Sequence, residues 1–151
     1  MPPTRAAQIA AIKIAGIRAI ETADFAALTS EQIASLTTAQ IAVIITEQVV
    51  ALTTEQIASL TTAQLVALKT ANIAVLETTD LAVLTTEQIA ALTTAQVAAL
   101  TTAQLVAMGT DQIVAIETAD IKVFTTAQIA GLTTDQVSIL TTAQLTALKT
   151  A

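Results

Sequence analysis

The sequence predicts an all-α solenoid of short helices, and three observations carry that prediction. From Glu21 to Leu148 the chain divides into sixteen eight-residue units without an insertion or deletion. Ala, Gln, Glu and Leu dominate those units, which favours helix over strand. Eight residues also fit no continuous helix. A straight α-helix turns about 100° per residue, so an octad overshoots two turns by about 80°. The apolar stripe would circle the rod within about five octads, and supercoils follow repeats of about seven or eleven instead. The helix must therefore break once per octad. A β-solenoid is the structural alternative, since Thr, Val and Ile suit strands. Against it, the Ala residues at positions three, six and seven are depleted in strands.

Taking the elements in order, two weaker octads come first, Arg5 to Ile12 and Lys13 to Ile20. They keep apolar fifth and eighth positions but lack the threonine pair of later units. Residues 1–20 are accordingly expected to form one capping helix, running from Thr4 to Ile20. It carries Arg5, Lys13 and Arg18, three of the six cations. A repeat array needs such an atypical unit to cover its open end. Residues 21–148 form the solenoid, and 149–151 are a tail.

The units open with ETADFAAL, TSEQIASL and TTAQIAVI and close with TTDQVSIL and TTAQLTAL. Position two is Thr or Ser throughout. Position four is Gln, Asp or Asn, as in Gln40, Asp80 and Asn72. Positions five and eight are large and apolar, as in Phe25, Ile33, Met108 and Phe124. Units five apart agree at 50 of 88 positions, and neighbouring units at 54 of 120. This 40-residue relation suggests a super-repeat with about five helices per superhelical turn.

Thr is a poor mid-helix residue and a good N-cap, because its hydroxyl accepts an orphan backbone N–H. The strictness of position two places the cap there. Position three then opens the helix, often with an acid such as Glu31, Glu55 or Asp111, matching the positive helix end. Position one becomes the exit from the preceding helix, where Gly109 and Lys69 fit. A competing phase puts the cap at position one, giving a T-x-x-Q capping box such as Thr37 to Gln40. Ile45, Lys69 and Gly109 speak against it. In either phase the helices have about six residues, unstable alone. Stacking must bury positions five and eight. The Gln at position four either builds an amide ladder or faces solvent.

Composition narrows function by exclusion. The chain has 151 residues, no His, Cys, Trp or Tyr, and only Phe25 and Phe124 as aromatics. No thiol nucleophile and no imidazole base exist, so no catalytic, cofactor-binding or metal-ligating residue is assigned and no enzyme is expected. A net charge of −6 disfavours nucleic acid. Mean hydropathy is +0.72, yet no run of 18 apolar residues is present to span a membrane.

The pairs Glu21/Asp24, Glu77/Asp80 and Glu117/Asp120 are the concentrated acid of the chain. Each could seed a weak Ca²⁺ site, but Ca²⁺ takes about six to eight oxygens. Capping with register marking is the reading preferred. The threonine rows allow an ice-binding surface, against which stands their use as caps. Met108 takes a core position. Gly16, Gly109 and Gly131 form no phosphate loop.

The wording LTTAQ, LTTEQ and LETAD, followed by an apolar residue, Ala and later Leu, resembles octapeptide tracts of very large bacterial proteins. Those are commonly labelled haem-utilisation or haemolysin-like calcium-binding proteins and are thought of as secreted or surface-bound. The resemblance spans Glu21 to Leu148 and implies a stalk or spacer segment of a surface protein. It does not carry the labelled activity. Haem ligation needs His, Cys, Met or Tyr, and only Met1 and Met108 are present. The glycine-rich calcium-binding nonapeptides are absent as well. Regularity and length equally suit a designed or excised array.

The expected function is a non-enzymatic rigid spacer or self-assembling scaffold, with a solenoid binding module as the alternative. The expected partner is the chain itself. TTAQLTALKTA stops in mid-pattern, so Leu145 and Leu148 are expected to leave an apolar face for dimerisation or end-to-end stacking through the C-terminal octads.

Overall fold

The computed structural model describes residues 2–149, and among them eighteen short helices follow one another with no strand between. The first nine are α1 (Arg5–Ala10), α2 (Ile14–Ala19), α3 (Thr22–Ala26), α4 (Ser30–Ala34), α5 (Thr38–Ile41), α6 (Thr46–Ala51), α7 (Thr54–Ala58), α8 (Thr62–Ala67) and α9 (Thr70–Ala74). The second nine are α10 (Thr78–Ala82), α11 (Thr86–Ala90), α12 (Thr94–Ala99), α13 (Thr102–Ala107), α14 (Thr110–Ala115), α15 (Thr118–Ile121), α16 (Thr126–Gly131), α17 (Thr134–Ser138) and α18 (Thr142–Leu148). The all-α solenoid is thus the fold, with one helix per octad. The tail assigned to 149–151 lies outside the described residues apart from Lys149, which ends α18.

From α2 onward each helix starts one residue earlier than the favoured cap position allowed. Position two is the first helical residue and position one is the N-cap, with φ near −70° and ψ near 158° in α8, α11 and α16. Thr85 shows the geometry: its hydroxyl accepts the Gln88 N–H at 3.1 Å, and Gln88 Oε1 accepts the Thr85 N–H at 2.7 Å. This is the reciprocal box of the competing phase. The residues that spoke against that phase are tolerated for a physical reason. A cap position demands extended backbone, and Ile45, Lys69 and Gly109 all adopt it. Gly109 is therefore a cap with φ −66°, not a helix exit that exploits left-handed freedom.

The break itself needs no glycine. In α13 the chain leaves the helix at Met108 (φ −69°, ψ 140°) and enters the next cap at Gly109 in the same extended region. Two successive extended residues turn the corner, and no described residue has positive φ. The position-eight side chain at that corner points inward: Leu60, Leu68, Leu84 and Met108 are all buried.

The expected single helix over Thr4 to Ile20 is corrected to two. Thr4 caps α1, the chain breaks after Ala10, and α2 starts at Ile14 with Lys13 as a cap that makes no side-chain bond. The cause is the same overshoot of about 80° per octad. A continuous helix would swing Ile17 and Ile20 off the face that Ile9 and Ile12 occupy; the break lets Ile17 become fully buried. Residues 5–20 are the first two units of the solenoid rather than a separate lid.

Helices three apart pack against each other, as α3 does on α6, α10 on α13 and α15 on α18. Side chains reach four units back, as described below. A coil therefore holds between three and four units, not the five suggested by the 40-residue relation. That relation belongs to the sequence and does not set the pitch. Positions five and eight line one continuous core from Ile17 to Phe124, including Ile33, Leu65, Ile89 and Leu105.

Candidate functional site: the seam between coils

The most elaborate polar chemistry of the molecule lies inside it. The position-four glutamines Gln40, Gln48, Gln56, Gln64, Gln88, Gln96, Gln104, Gln112, Gln128, Gln136 and Gln144 are all buried. Each makes two kinds of bond. Its Oε1 accepts the cap N–H of its own helix, as Gln96 does from Thr93 at 2.9 Å. Its Nε2 donates to the C-terminal carbonyls of a helix one coil earlier. Gln96 donates to Leu65 O and Leu68 O, both at 2.8 Å, 31 and 28 residues back. Gln136 does the same to Leu105 O and Met108 O. The amide thus joins the positive start of one helix to the orphan carbonyls at the end of another. The expected alternatives, a stacked amide ladder or a solvent-facing row, are both replaced by this backbone bridge. Among the described residues no buried side-chain polar atom lacks a partner.

Departures from Gln follow from side-chain chemistry. Asn72 is one methylene shorter. Its Nδ2 reaches Ile44 O at 3.1 Å, but it returns no bond to its own cap, Lys69. An ionised carboxylate cannot donate, so Asp80 and Asp120 turn to a donor. Thr54 donates its hydroxyl to Asp80 Oδ1 at 2.9 Å, and Thr94 donates to Asp120 Oδ1 at 2.6 Å. These hydroxyls sit three units back, where the glutamines reach four. The two pairs are 40 residues apart, which gives the super-repeat a structural counterpart.

The three acidic pairs singled out in the sequence lie in separate units and are not brought together. Glu21, Glu77 and Glu117 are exposed at cap positions, and Asp80 Oδ2 accepts the Glu77 N–H at 3.1 Å. Asp24 is exposed. Among the described residues no three acids gather as a metal site would require. The position-one threonine hydroxyls are turned onto their own helix starts. Met108 is buried in the core.

Position seven is the second part of the seam. Ser35 and Ser59 each donate to a position-two carbonyl 29 residues back, Ala6 O and Ser30 O. Gly131 occupies the same position, and a Cβ there would stand 2.1 Å from Thr102 Cγ2. Glycine lets α16 approach α13 more closely than alanine would.

Sequence reasoning found the core rows and missed the seam, because a glutamine on a short helix reads as a surface residue. The available signal was the preference for Gln where Glu or Lys would serve a solvated face equally well.

The fold and its seam define a class: an α-solenoid of octapeptide units whose coils are stitched by buried amides. The ALTTAQ repeat pattern matches the chain repeatedly, over residues 17–54, 35–62, 46–78, 57–94, 73–110, 90–116 and 113–150. The chain belongs to the ALTTAQ repeat family. The matches 17–54 and 57–94 begin 40 residues apart, as do 73–110 and 113–150, in step with the super-repeat. Neither a curated protein nor a solved structure matches the chain.

Proposed function

We propose that the chain is a rigid, non-enzymatic spacer, a rod that holds apart whatever is joined to its two ends and that also associates with its own kind. The observation that supports this is the seam. Buried amides tie each coil to the one before it, eleven of them glutamines of one geometry, with Asn72, Asp80 and Asp120 as the departures. Bending the rod would pull those bridges out of line together, and each buried group left unpaired costs about 1–3 kcal/mol. The likeness of the octads to tracts of large bacterial surface proteins points to the same task. Among the described residues no helix is long and apolar enough to cross a membrane. The test is small-angle scattering on chains of one, two and three array lengths. A rod gives a maximum dimension that grows in proportion to length. Growth as the square root of length, the behaviour of a flexible chain, overturns the proposal.

A second reading, a binding module, is favoured by one observation. Val50, Val66, Val83, Val106 and Val114 are 39–54% exposed along the outer faces, and apolar patches mark association surfaces. Replacing these valines with serine separates the readings: a spacer keeps its dimensions, and a binding module loses its partner.

A further inference from the structure

We propose that Asp80 and Asp120 each hold a potassium ion in the seam, the cation standing where other units place an amide nitrogen. The proposal goes beyond the spacer reading and does not depend on it.

From Gln40 onward, the position-four amides donate to the position-eight carbonyl 28 residues back, from Ile12 O for Gln40 to Ile116 O for Gln144. Asp80 and Asp120 interrupt the series. The carbonyls at their places, Leu52 O and Leu92 O, accept no hydrogen bond among the described residues. The carbonyls 31 residues back, which the glutamines also reach, belong here to Val49 and Ile89. They accept the N–H of Leu52 and of Leu92, each at 3.1 Å. Both aspartates are buried, 6% and 5% exposed, and an ionised carboxylate has no hydrogen to offer a carbonyl. All six Lys and Arg side chains are exposed, so none is buried beside either carboxylate.

Each place thus offers oxygen alone: a carboxylate, the Thr54 or Thr94 hydroxyl bonded to it, and main-chain carbonyls. Such oxygens repel one another unless a positive charge lies among them, and buried charges in proteins are paired or coordinate metals. One acid suffices, because the backbone supplies the remaining ligands. One carboxylate balances one positive charge, which selects a monovalent ion. Size follows from the neighbouring units. Gln96 Nε2 lies 2.8 Å from both of its carbonyls, and Gln104 Nε2 lies 2.9 and 2.8 Å from its pair. Ca²⁺ takes about six to eight oxygens at about 2.3–2.6 Å, so it is too small for that spacing and demands too many ligands. Potassium is the ion that cages of main-chain carbonyls hold in channels. The Asp80 oxygens are turned to Thr54 and to the Glu77 N–H rather than to Leu52 O. Thr54 is half-buried and Thr94 is exposed, which leaves the ion a way in from solvent. The same set recurs 40 residues on, with Leu92, Thr94 and Asp120 in the roles of Leu52, Thr54 and Asp80.

The experiment uses the full chain and the variant Asp80→Asn with Asp120→Asn, which gives each place the short amide that Asn72 already sends to Ile44 O. Circular dichroism checks that both fold alike. Melting is then followed in potassium chloride and in tetramethylammonium chloride of equal ionic strength, the second cation being too large for the seam. Potassium severalfold above its Kd is expected to raise the parent's Tm by about 2–4 °C and to leave the variant's unchanged. Crystals grown in rubidium chloride, rubidium standing in for potassium, are expected to show anomalous peaks beside Asp80 and Asp120. A parent that melts alike in both salts overturns the proposal, and so does a variant that keeps the potassium shift. A larger response to sodium or calcium than to potassium overturns the choice of ion. A water without anomalous signal at both places overturns the site.

Discussion

Replacing Gln96 with Leu would isolate the energetic role of the seam. The glutamine is buried on α12 and holds the Thr93 N–H on one side and Leu65 O and Leu68 O on the other. Leu65 O keeps a second partner, because it also accepts the Leu68 N–H at 3.2 Å. Leu68 O and the Thr93 N–H lose theirs. Thr93 is exposed, so its N–H can turn to water, whereas the bond to Leu68 O is buried. A buried polar group left unpaired costs about 1–3 kcal/mol, so the substitution is expected to cost about 1–3 kcal/mol plus the lost cap bond. Gln96→Asn is the internal control. Asn72 shows that the shorter amide keeps the carbonyl and drops the cap, so this variant should lose about 1 kcal/mol. Urea titration followed by circular dichroism measures both, provided the m-value is unchanged. If Gln96→Leu costs no more than Thr93→Ala, the bridge contributes nothing beyond its cap and the reasoning fails.

Three further outcomes follow from the same geometry. Thr85→Ala removes the hydroxyl that accepts the Gln88 N–H and should cost about 1 kcal/mol, while Thr86→Ala, at the first helical residue, should cost less; equilibrium unfolding of the two decides. Leu92→Ala empties a buried corner position and should cost about 2–5 kcal/mol, whereas Ala91→Ser should be nearly neutral in the same assay, since Ser35 and Ser59 already occupy that position. Gly131→Ala forces a Cβ onto Thr102 Cγ2 and should lower the melting temperature at an overpacking cost of about 1–3 kcal/mol; Thr102→Ser, which removes that methyl, should restore it.

Much of the fold was legible because period and helix geometry conflict openly. Eight residues cannot continue a helix, so the break and the inward rows at positions five and eight follow from arithmetic. Arginine and lysine in residues 5–20 disguised the first two units as a lid, although Ile9, Ile12, Ile17 and Ile20 kept the spacing. Cap position was misjudged because strictness was taken for capping. What fixes the cap is the residue three places on: Gln88 answers Thr85, and Gln48 and Gln112 answer even Ile45 and Gly109 through their backbone N–H. The number of units per coil was beyond the sequence. It depends on how far an amide reaches and how closely helices three apart can pack, and neither leaves a periodic trace. The 40-residue relation links Asp80 to Asp120 and Thr54 to Thr94, and does not mark where the chain completes a circle.

Each helix lies across the joint between two helices of the coil before it, one three units back and one four. A mason would recognise running bond: no straight joint runs the length of the wall, so a loosened unit hands its load to two others and a crack must change course at every row. The same offset makes the unit a dial. Because a coil closes after a number of octads between three and four, inserting one octad lengthens the rod slightly while swinging its far end by a quarter to a third of a revolution. Two tracts that differ by a single unit would therefore present their attachments in different compass directions, and only additions of whole coils would leave the bearing nearly unchanged.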